Sequence, residues 1–381
     1  MPSPFAPPAS PPSVFSRIGS LARAHEAVDI GQGFPDFPPD EALRERLAHH
    51  ALHSGHQYLP LPGLPALRRA IARKIQRCQG ARVDVDDEIT VTSGATQAIW
   101  SAVQAVVSPG DEAIVFEPAY DSYRPAVESV GGVVRPVVLE APHFQVDWAA
   151  FAKTRSARTR LVVINNPHNP SGTVWSEEDL RELERQLRGS EIAVVSDEVY
   201  EHLVYDGRDH RSVVRYPGLR ERAFAVSSFG KTFHVTGWKV GYVVAPPVLT
   251  ARLRSVHQYT VFTVSTPAQR ALADHLADAS HYETLASAFA AKRDRLAAAL
   301  AGSALRILPS AGGYFCLADY SAVADEPDER FAARLIAERG VATIPLSPFY
   351  SEAPAGQRLV RLCFAKRPET LDAAAERLSA R

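Results

Sequence analysis

The sequence lacks several features that would place the chain in a specialised class of protein. Its 381 residues include only three cysteines, Cys78, Cys316 and Cys363, which lie far apart and form no CxxC or His-rich pattern. We expect them to be small buried side chains rather than disulfide or metal ligands, and we predict no metal site. The formal net charge is −1 at pH 7, without a polybasic run. The chain therefore offers no electrostatic surface for nucleic acid.

Long apolar runs are also lacking, since no stretch reaches the length of a membrane-spanning helix. The first dozen residues are rich in Pro and Ser and have no apolar segment after basic residues. We interpret them as a tail rather than a signal peptide, and we expect a cytoplasmic protein. The chain is 46% hydrophobic and 22% charged, as in globular proteins. Its length exceeds one ordinary core, which predicts two domains.

Short apolar runs alternate with helical patterns through the middle of the chain. Several runs are continuous in Val and Ile, as expected of strands covered on both faces. The amphipathic stretch Ser176–Leu187 opens with Ser-Glu-Glu-Asp, a good helix N-cap. This alternation predicts an α/β fold with a largely parallel sheet. The predicted strands are Ile89–Thr92, Ala113–Phe116, Leu161–Ile164, Ile192–Val195, Ala223–Val226 and Val240–Val244.

The C-terminal third has a different pattern. Thr266–Leu300 is Ala-rich and predicts one long connecting helix. Arg306–Leu317, Val341–Ile344 and Leu359–Phe364 predict strands mixed with helices, hence a smaller α+β domain. Gly31–Pro39 is too rich in Gly and Pro to form an element, and the N-terminus is expected to pack beside the small domain. The predicted division is an N-terminal arm with part of the small domain (1–45), a large α/β domain (46–280) and the small domain (281–381).

Polar groups follow five of the predicted strands. Ligands of open parallel sheets bind beyond the carboxyl ends of the strands, so these groups are expected to meet. Each segment alone also fits an ordinary turn or a core side chain, but five together indicate one site. The segments are Ser93-Gly94-Ala95-Thr96-Gln97, Glu117-Pro118-Ala119-Tyr120, Asn165-Asn166-Pro167-His168-Asn169-Pro170-Ser171-Gly172, Ser196-Asp197-Glu198-Val199-Tyr200 and Ser227-Ser228-Phe229-Gly230-Lys231-Thr232-Phe233-His234-Val235-Thr236-Gly237-Trp238-Lys239.

These segments share one chemical interpretation. A lysine forms an imine, an acid keeps a pyridine ring protonated, a ring stacks, and a phosphate binds at a helix N-terminus. The segments Asn-Pro-His-Asn-Pro-Ser-Gly, Ser-Asp-Glu-Val-Tyr and the lysine segment resemble those of the class I aminotransferases, which are pyridoxal 5′-phosphate (PLP) enzymes of fold type I. Gly31–Phe37 and Arg361–Lys366 are similar to the branch that holds bacterial methionine aminotransferases, kynurenine aminotransferases and glutamine transaminase K.

The resemblance implies roles for residues around the cofactor ring. Lys231 would hold PLP as an imine and carry the proton during transamination. Asp197 would pair with the pyridine nitrogen and stay ionised through that salt bridge. Tyr200 and Asn169 would hydrogen-bond the 3′-oxygen of the ring, and Tyr120 would stack on its face. Lys231 must be a neutral amine to act as a base.

The resemblance also implies residues for the phosphate and the substrate. The phosphate would be held by Gly94, Ala95, Thr96, Ser228 and Lys239. Tyr58 would reach the phosphate of the partner subunit, which implies a homodimer with shared active sites. The guanidinium fork of Arg361 would bind the substrate α-carboxylate, with help from Gly33 and Asn169. The side-chain pocket would be lined by Phe34 and by Phe262 of the neighbouring subunit.

Departures from the pattern bear on the substrate. Thr96 and Thr263 stand where kynurenine enzymes commonly carry an aromatic residue and a histidine, and no second arginine is evident for a dicarboxylate. This favours methionine, phenylalanine or leucine as amino donor and a 2-oxo acid as acceptor. Kynurenine- or glutamine-type transamination and β-elimination from cysteine conjugates stay open. Outside this class, Ser228–Lys231 matches Ser-x-x-Lys of acyl enzymes, and a non-catalytic PLP-fold regulator is the other alternative.

Overall fold

A computed structural model describes residues 12–379 of the chain. The segment 1–11, which contains most of the predicted Pro- and Ser-rich tail, lies outside the described residues, as do residues 380–381. Within residues 12–379, no helix is both long enough and apolar enough to cross a membrane.

The described chain alternates strands and helices along most of its length. The strands are β1 (Val28–Asp29), β2 (Ile89–Thr92), β3 (Glu112–Glu117), β4 (Val133–Val138), β5 (Thr159–Asn165), β6 (Ala193–Asp197), β7 (Ala223–Ser228), β8 (Gly241–Val244), β9 (Arg306–Ile307), β10 (Phe315–Asp319), β11 (Val341–Ala342), β12 (Ile344–Pro345) and β13 (Leu359–Cys363). The α-helices are α1 (Val14–Ala24), α2 (Glu41–His53), α3 (Pro65–Gln79), α4 (Gly94–Val106), α5 (Tyr123–Glu128), α6 (Trp148–Thr154), α7 (Glu177–Leu187), α8 (Pro217–Arg220), α9 (Phe229–Thr232), α10 (Pro247–Thr260), α11 (Thr266–His275), α12 (Ser280–Glu283), α13 (Leu285–Leu300), α14 (Asp328–Arg334) and α15 (Pro368–Ser379).

A seven-stranded sheet forms the centre of the molecule, in the order β2-β8-β7-β6-β5-β3-β4. The pairs among β3 to β7 are parallel, and β8 is antiparallel to both of its neighbours. Strands β3 and β6 are buried along their whole length, as their apolar runs predict. Helix α7 begins at the predicted cap, where Ser176 and Asp179 form a capping box. The α/β fold with a mostly parallel sheet is confirmed.

The reversed direction of β8 has a consequence for the site. Gly241, the first residue of β8, is paired with Thr92 and Ser228, which are the last residues of β2 and β7. The segment that enters β8 therefore lies at the same edge as the carboxyl ends of the other strands. This places Lys239 beside the start of α4.

A smaller sheet, β12-β13-β10-β9, belongs to the C-terminal part. The N-terminal strand β1 pairs in parallel with β11, so the segment that follows α1 is tied to the C-terminal region as predicted. Residues 31–39 form no regular element, also as predicted. Helix α2 runs across position 45, and α12 starts at position 280. The exact domain boundaries stay a prediction.

The predicted continuous helix over Thr266–Leu300 is wrong, because the chain breaks it into α11, α12 and α13. The carboxylate of Asp278 accepts a hydrogen bond from the backbone N–H of Ser280 at 2.9 Å, a local turn that competes with helix. The Nδ1 of the His281 ring also donates a hydrogen bond to the carbonyl oxygen of His275 at 2.9 Å. Strand β4 was not predicted, because it contains Pro136. It nevertheless forms, since it lies at the edge of the sheet, where proline is tolerated.

Candidate active site

A cavity of about 260 Å³ opens at the carboxyl-end edge of the large sheet. It also touches the N-terminal segment and the C-terminal sheet. Nearly all the residues that the sequence predicts for the site line it. These are Gly33, Phe34, Gly94, Ala95, Thr96, Tyr120, Asn169, Asp197, Tyr200, Ser228, Lys231, Lys239 and Arg361.

Two predicted residues do not line the cavity of their own chain. Tyr58 is 82% exposed and Phe262 is 39% exposed. Their rings contact each other edge to face, with centroids 5.5 Å apart. Both were predicted to act in the site of a partner subunit, and that role stays a prediction.

The start of α4 forms a small anion cradle. Gly94 has a φ of +70°, and the side chain of Ser93 makes no capping bond, so the first N–H groups of the helix are left free for a ligand. A Cβ at Gly94 would come within 3.3 Å of the Nζ of Lys239. Lys239 itself has a left-handed φ of +53°. An ammonium group and free backbone donors together suit a phosphate.

Lys231 lies on the short helix α9, directly after β7, and its Nζ points into the cavity. The Nζ donates to the carbonyl oxygen of Gly33 at 2.8 Å. The hydroxyl of Tyr314 donates to the carbonyl oxygen of Lys231 and so fixes its backbone. Burial lowers the pKa of Lys231 to about 8, so a sizeable fraction of this amine is neutral near physiological pH.

Asp197 is the last residue of β6 and is 4% exposed. Its carboxylate accepts hydrogen bonds from the Tyr123 hydroxyl at 2.6 Å and from the backbone N–H of Val199 at 3.3 Å. Within the described part of the chain, Asp197 has no ion pair. Burial therefore raises its pKa to about 6, against the lowering effect of Tyr123, Val199 and Lys231. The expected ion pair of Asp197 is with the ring nitrogen of the cofactor, a cation from outside the chain, and it stays a prediction.

Two asparagines connect the carboxylate region to the arginine. The side chain of Asn165 donates to the carbonyl of Asp197 at 2.8 Å and accepts from the backbone N–H of Asn169 at 2.7 Å. The Oδ1 of Asn169 in turn accepts from Arg361 at 2.8 Å. Sequence analysis named Asn169 but gave Asn165 no role. The strand-end position of Asn165 was the available signal.

Arg361 lies in the middle of β13 and is only 1% exposed. Its guanidinium donates to Asn169 and to the carbonyl of Gly31 at 2.9 Å. Its Cζ lies 3.9 Å from the ring centroid of Phe315 and 5.3 Å from those of Phe15 and Phe349. Burial lowers the pKa of Arg361 to about 10, which leaves it cationic at neutral pH. This aromatic cage holds the guanidinium by cation–π contacts.

Tyr120 and Tyr200 present their rings to the same cavity. Burial raises the pKa of both phenols, that of Tyr120 to about 12, so both remain hydrogen-bond donors. Tyr200 is held edge to face against Tyr314, with ring centroids 5.0 Å apart. The ring of Tyr120 is free to stack on a flat ligand.

The remaining wall is mainly apolar. Phe15, Phe34, Ile99 and Val199 contribute to it, together with the amide of Gln32. Among residues 12–379, Arg361 is the only arginine that lines the cavity. Sequence analysis missed Phe15, which no local pattern marks as a site residue, and gave no role to Gln32, although it lies in the quoted segment Gly31–Phe37.

One group outside the cavity has metal-ligand side chains. Ligand atoms of Asp40, His275 and His281 lie within 4.8 Å of one another. However, the guanidinium of Arg46 lies 2.7 Å from the Nδ1 of His275. A fixed positive charge at a ligand atom disfavours a bound cation. We assign no metal role to this group, and the absence of a metal site stays a prediction.

Comparisons with known proteins agree with this geometry. A family model described as aminotransferase class I and II matches residues 25–378. The chain is 53% identical over 367 residues to a methionine aminotransferase of Escherichia coli, covering 96% of this chain and 95% of the relative. It is 35% identical over 403 residues to kynurenine–oxoglutarate transaminase 1 of rat, with 96% and 95% covered.

Solved structures give the same result. A crystal structure of an Escherichia coli protein with a methionine aminotransferase function superposes with a TM-score of 0.95 and 51% identity, covering 99% of this chain and 100% of that one. The resemblance inferred from the strand-end segments is confirmed. The chain belongs to the class I and II aminotransferases and is an aminotransferase.

Proposed function

We propose that the chain is a PLP-dependent aminotransferase that takes amino groups from neutral, apolar L-amino acids, methionine above all, and transfers them to 2-oxo acids. The observation that carries this proposal is the convergence of three groups on one cavity. They are the amine of Lys231, the carboxylate of Asp197, which has no cationic partner among residues 12–379, and the caged guanidinium of Arg361.

The residues present fit PLP. A buried carboxylate is costly unless a cation pairs with it, and a protonated pyridine nitrogen would be such a cation at Asp197. The cradle at Gly94 and Lys239 suits the phosphate, and Tyr120 offers a ring face. When bound, PLP supplies an electron-withdrawing ring that stabilises negative charge on the α-carbon of the amino acid.

The chain itself supplies binding and proton transfer. Lys231 can bind the cofactor through its amine and, as a neutral base, move a proton to and from the α-carbon. Tyr200 would donate to an oxygen on the ring, and Asn169 and Gly33 would help Arg361 to hold the carboxylate end of the substrate. The pKa of Lys231 near 8 supports this role, because proton transfer is most efficient near the working pH.

The substrate class follows from the cavity wall. Arg361 binds the α-carboxylate that every amino acid shares, so it gives no side-chain preference. The remaining wall, with Phe15, Phe34 and Ile99, has no second arginine among the described residues. An apolar pocket separates substrates by only about 1–3 kcal/mol for each methylene, so overlapping activities are expected. The methionine aminotransferase relative supports methionine as the leading donor.

We also propose a homodimer with shared sites, in which Tyr58 reaches the phosphate of the partner's cofactor and Phe262 lines the partner's pocket. The exposure of both side chains on the single chain supports this, since large apolar groups left open often mark an interface. Two impaired homodimers test it, Lys231→Ala and Tyr58→Phe, because only shared sites let their hybrid combine a wild-type Lys231 of one subunit with the wild-type Tyr58 of the other. Activity regained on subunit exchange supports shared sites, and none regained contradicts them.

We also propose that the protein is located in the cytoplasm.

One purified preparation tests cofactor and substrate together. The purified protein should be yellow because of bound PLP. Reduction with borohydride should attach the pyridoxyl group to Lys231, and the variant Lys231→Ala is the control that should stay unlabelled. A label on Lys239 or Lys292 contradicts the assignment. A donor array with 2-oxoglutarate then gives kcat/KM for methionine, phenylalanine, leucine, kynurenine and aspartate, while pyruvate release measures β-elimination. Aspartate exceeding methionine by tenfold would overturn the proposed specificity.

A further inference from the structure

Tyr123 lies behind the cavity rather than in its wall. It is the first residue of α5, and its backbone N–H donates to the carbonyl of Tyr120 at 3.2 Å. The same turn therefore brings one tyrosine into the cavity wall and a second to the carboxylate of Asp197. The ring of Tyr123 is 2% exposed and contacts that of Tyr120 edge to face at 5.8 Å. Its hydroxyl donates to the Oδ2 of Asp197 at 2.6 Å.

We propose that Tyr123 is a positioning residue that keeps Asp197 ionised and directed at the pyridine nitrogen of the bound cofactor. The sequence interpretation assigned Tyr123 no role. The proposal rests on the proposed function for the identity of the cofactor, but the hydrogen bond itself is a property of this chain.

The chemistry of the donor explains why a phenol suits this place. A hydrogen bond from a neutral donor stabilises the carboxylate without cancelling its charge. An arginine or lysine at the same position would pair with Asp197 and compete with a cationic ring nitrogen. Burial, followed by the neighbouring Asp197 charge, raises the pKa of Tyr123 well above 10, so the phenol stays protonated. Tyr123 is therefore a permanent donor to this carboxylate.

The proton between Asp197 and the ring nitrogen has two possible positions. On the nitrogen it leaves a charged pair, and on the carboxylate it leaves a neutral pair. The hydrogen bond from Tyr123 favours the charged pair, because an ionised carboxylate is the better acceptor. The other charged groups that act on Asp197 are Lys231, which also favours ionisation, and Glu198, which opposes it. Glu198 is itself satisfied by donors from Ser196, His210 and Val213.

The variant Tyr123→Phe tests this inference while keeping the ring. With ¹⁵N-labelled PLP bound, the NMR shift of the ring nitrogen should move from the protonated toward the unprotonated position, and kcat for methionine should fall about tenfold. Tyr320→Phe is the matched control. It also removes a buried phenol hydrogen bond, of 2.8 Å to the backbone carbonyl oxygen of Glu326, beside a stacked Phe331, and Tyr320 does not line the cavity. The control should leave both the ring-nitrogen shift and kcat unchanged.

A second measurement does not need the cofactor. In the apoprotein, ¹³C NMR of the labelled aspartate should show a higher pKa of Asp197 in Tyr123→Phe than in the wild type. In an Asp197→Asn background, the added Tyr123→Phe change should have no further effect on kcat. Failure of the wild type to bind PLP would refute the proposed function, while the apoprotein titration would still test the bond. If PLP binds and neither the ring-nitrogen shift nor the pKa of Asp197 changes in Tyr123→Phe, the inference is refuted.

Discussion

Glu112 and Asp197 are both buried carboxylates of the large sheet, at opposite ends of its parallel strands. Glu112 begins β3 and accepts hydrogen bonds from Arg135 at 2.8 Å, Arg158 at 2.7 Å and Ser156 at 2.6 Å. Hydrogen bonds from Arg135 and Ser156, against the effect of burial, lower the pKa of Glu112 to about 2. Asp197 ends β6. Among the described residues, only a phenol and a backbone N–H donate to its carboxylate, and burial raises its pKa to about 6.

The difference separates a carboxylate whose charge is paired with arginines of the chain from one that, in the proposed function, pairs with the cofactor. At the amino end of the strands, the charge is compensated within the chain. At the carboxyl end, Asp197, Lys231 and Lys239 face a cavity that can take a ligand with complementary charges. Perturbed groups often cluster at functional sites, and Asp197 and Lys231 both lie at the carboxyl end of the strands, where ligands of such sheets bind.

Removing the amine of Lys231 should have the largest effect of any change at the cavity end. Lys231→Ala should lower kcat for methionine by about 10³–10⁴-fold, because the base for proton transfer is lost. Steady-state assays with 2-oxoglutarate measure this. Lys153→Ala, on the exposed face of α6, is the control and should retain full activity. A loss of less than tenfold in Lys231→Ala would be incompatible with its proposed role.

The next largest effect is expected from neutralising Asp197. Asp197→Asn keeps the shape of the side chain but removes the charge that pairs with the ring nitrogen. We expect kcat to fall by about 10²–10³-fold, the usual cost of losing a preorganised charge interaction. The apoprotein should be no less stable than the wild type, because an uncompensated buried charge has been removed. Thermal denaturation and kcat are measured on the same preparation. A fall in kcat without a loss of stability supports the proposed role of Asp197, whereas a loss of stability with little change in kcat would indicate a structural role.

The meeting of the polar strand-end groups in one site could be predicted from the sequence, because parallel strands bring their carboxyl ends to one edge of the sheet. Lys231, Asp197 and Asn169 each follow such a strand, and their motifs also indicated the family. Arg361 was found through the resemblance alone. These residues converge on one cavity because of topology, not because of their local sequence.

Other features had no local signal. Tyr123 lies 74 positions from Asp197, and nothing in its segment distinguishes it from Tyr120, which enters the cavity. Phe15 meets Arg361 only after the N-terminal segment has packed beside the C-terminal sheet. The break near Asp278 depends on one side-chain hydrogen bond within an otherwise helical pattern. Such contacts depend on tertiary packing, which composition and periodicity do not encode.

At the amino end of the sheet, neutralising the carboxylate should reduce stability and leave the chemistry intact. Glu112→Gln should lower the free energy of unfolding by about 2–3 kcal/mol, since hydrogen bonds to a buried charged group are lost. Arg135 and Arg158 are about half exposed and can turn to solvent, which limits the loss. The kcat of the folded enzyme should match the wild type. A fall in kcat as large as that of Asp197→Asn would mean that the two ends of the sheet are not functionally distinct.

The smallest expected effect is the pH dependence of stability, which should have opposite signs for the two carboxylates. The pKa of Glu112 is lowered in the folded state, so its stabilisation is present above about pH 4.5 and is lost as pH falls toward 2. The pKa of Asp197 is raised from 3.8 to about 6 in the apoprotein. Between about pH 4 and 6 the folded state therefore holds a proton that the unfolded chain has released, and stability falls as pH rises.

The measurement is the free energy of unfolding as a function of pH. Subtracting the curve of each variant from that of the wild type isolates one carboxylate from the many other titrating groups. For Asp197→Asn we expect the wild type to lose about 1–2 kcal/mol relative to the variant between pH 4 and 6. For Glu112→Gln the wild type should lose its advantage only below pH 4.5. Saturating PLP should abolish the pH-dependent difference between the wild type and Asp197→Asn, because the ring nitrogen then compensates the charge of Asp197. It should leave the difference between the wild type and Glu112→Gln unchanged. Two difference curves of the same sign, or an Asp197 curve unaffected by bound PLP, would contradict the assignment of Asp197 as the carboxylate reserved for the cofactor.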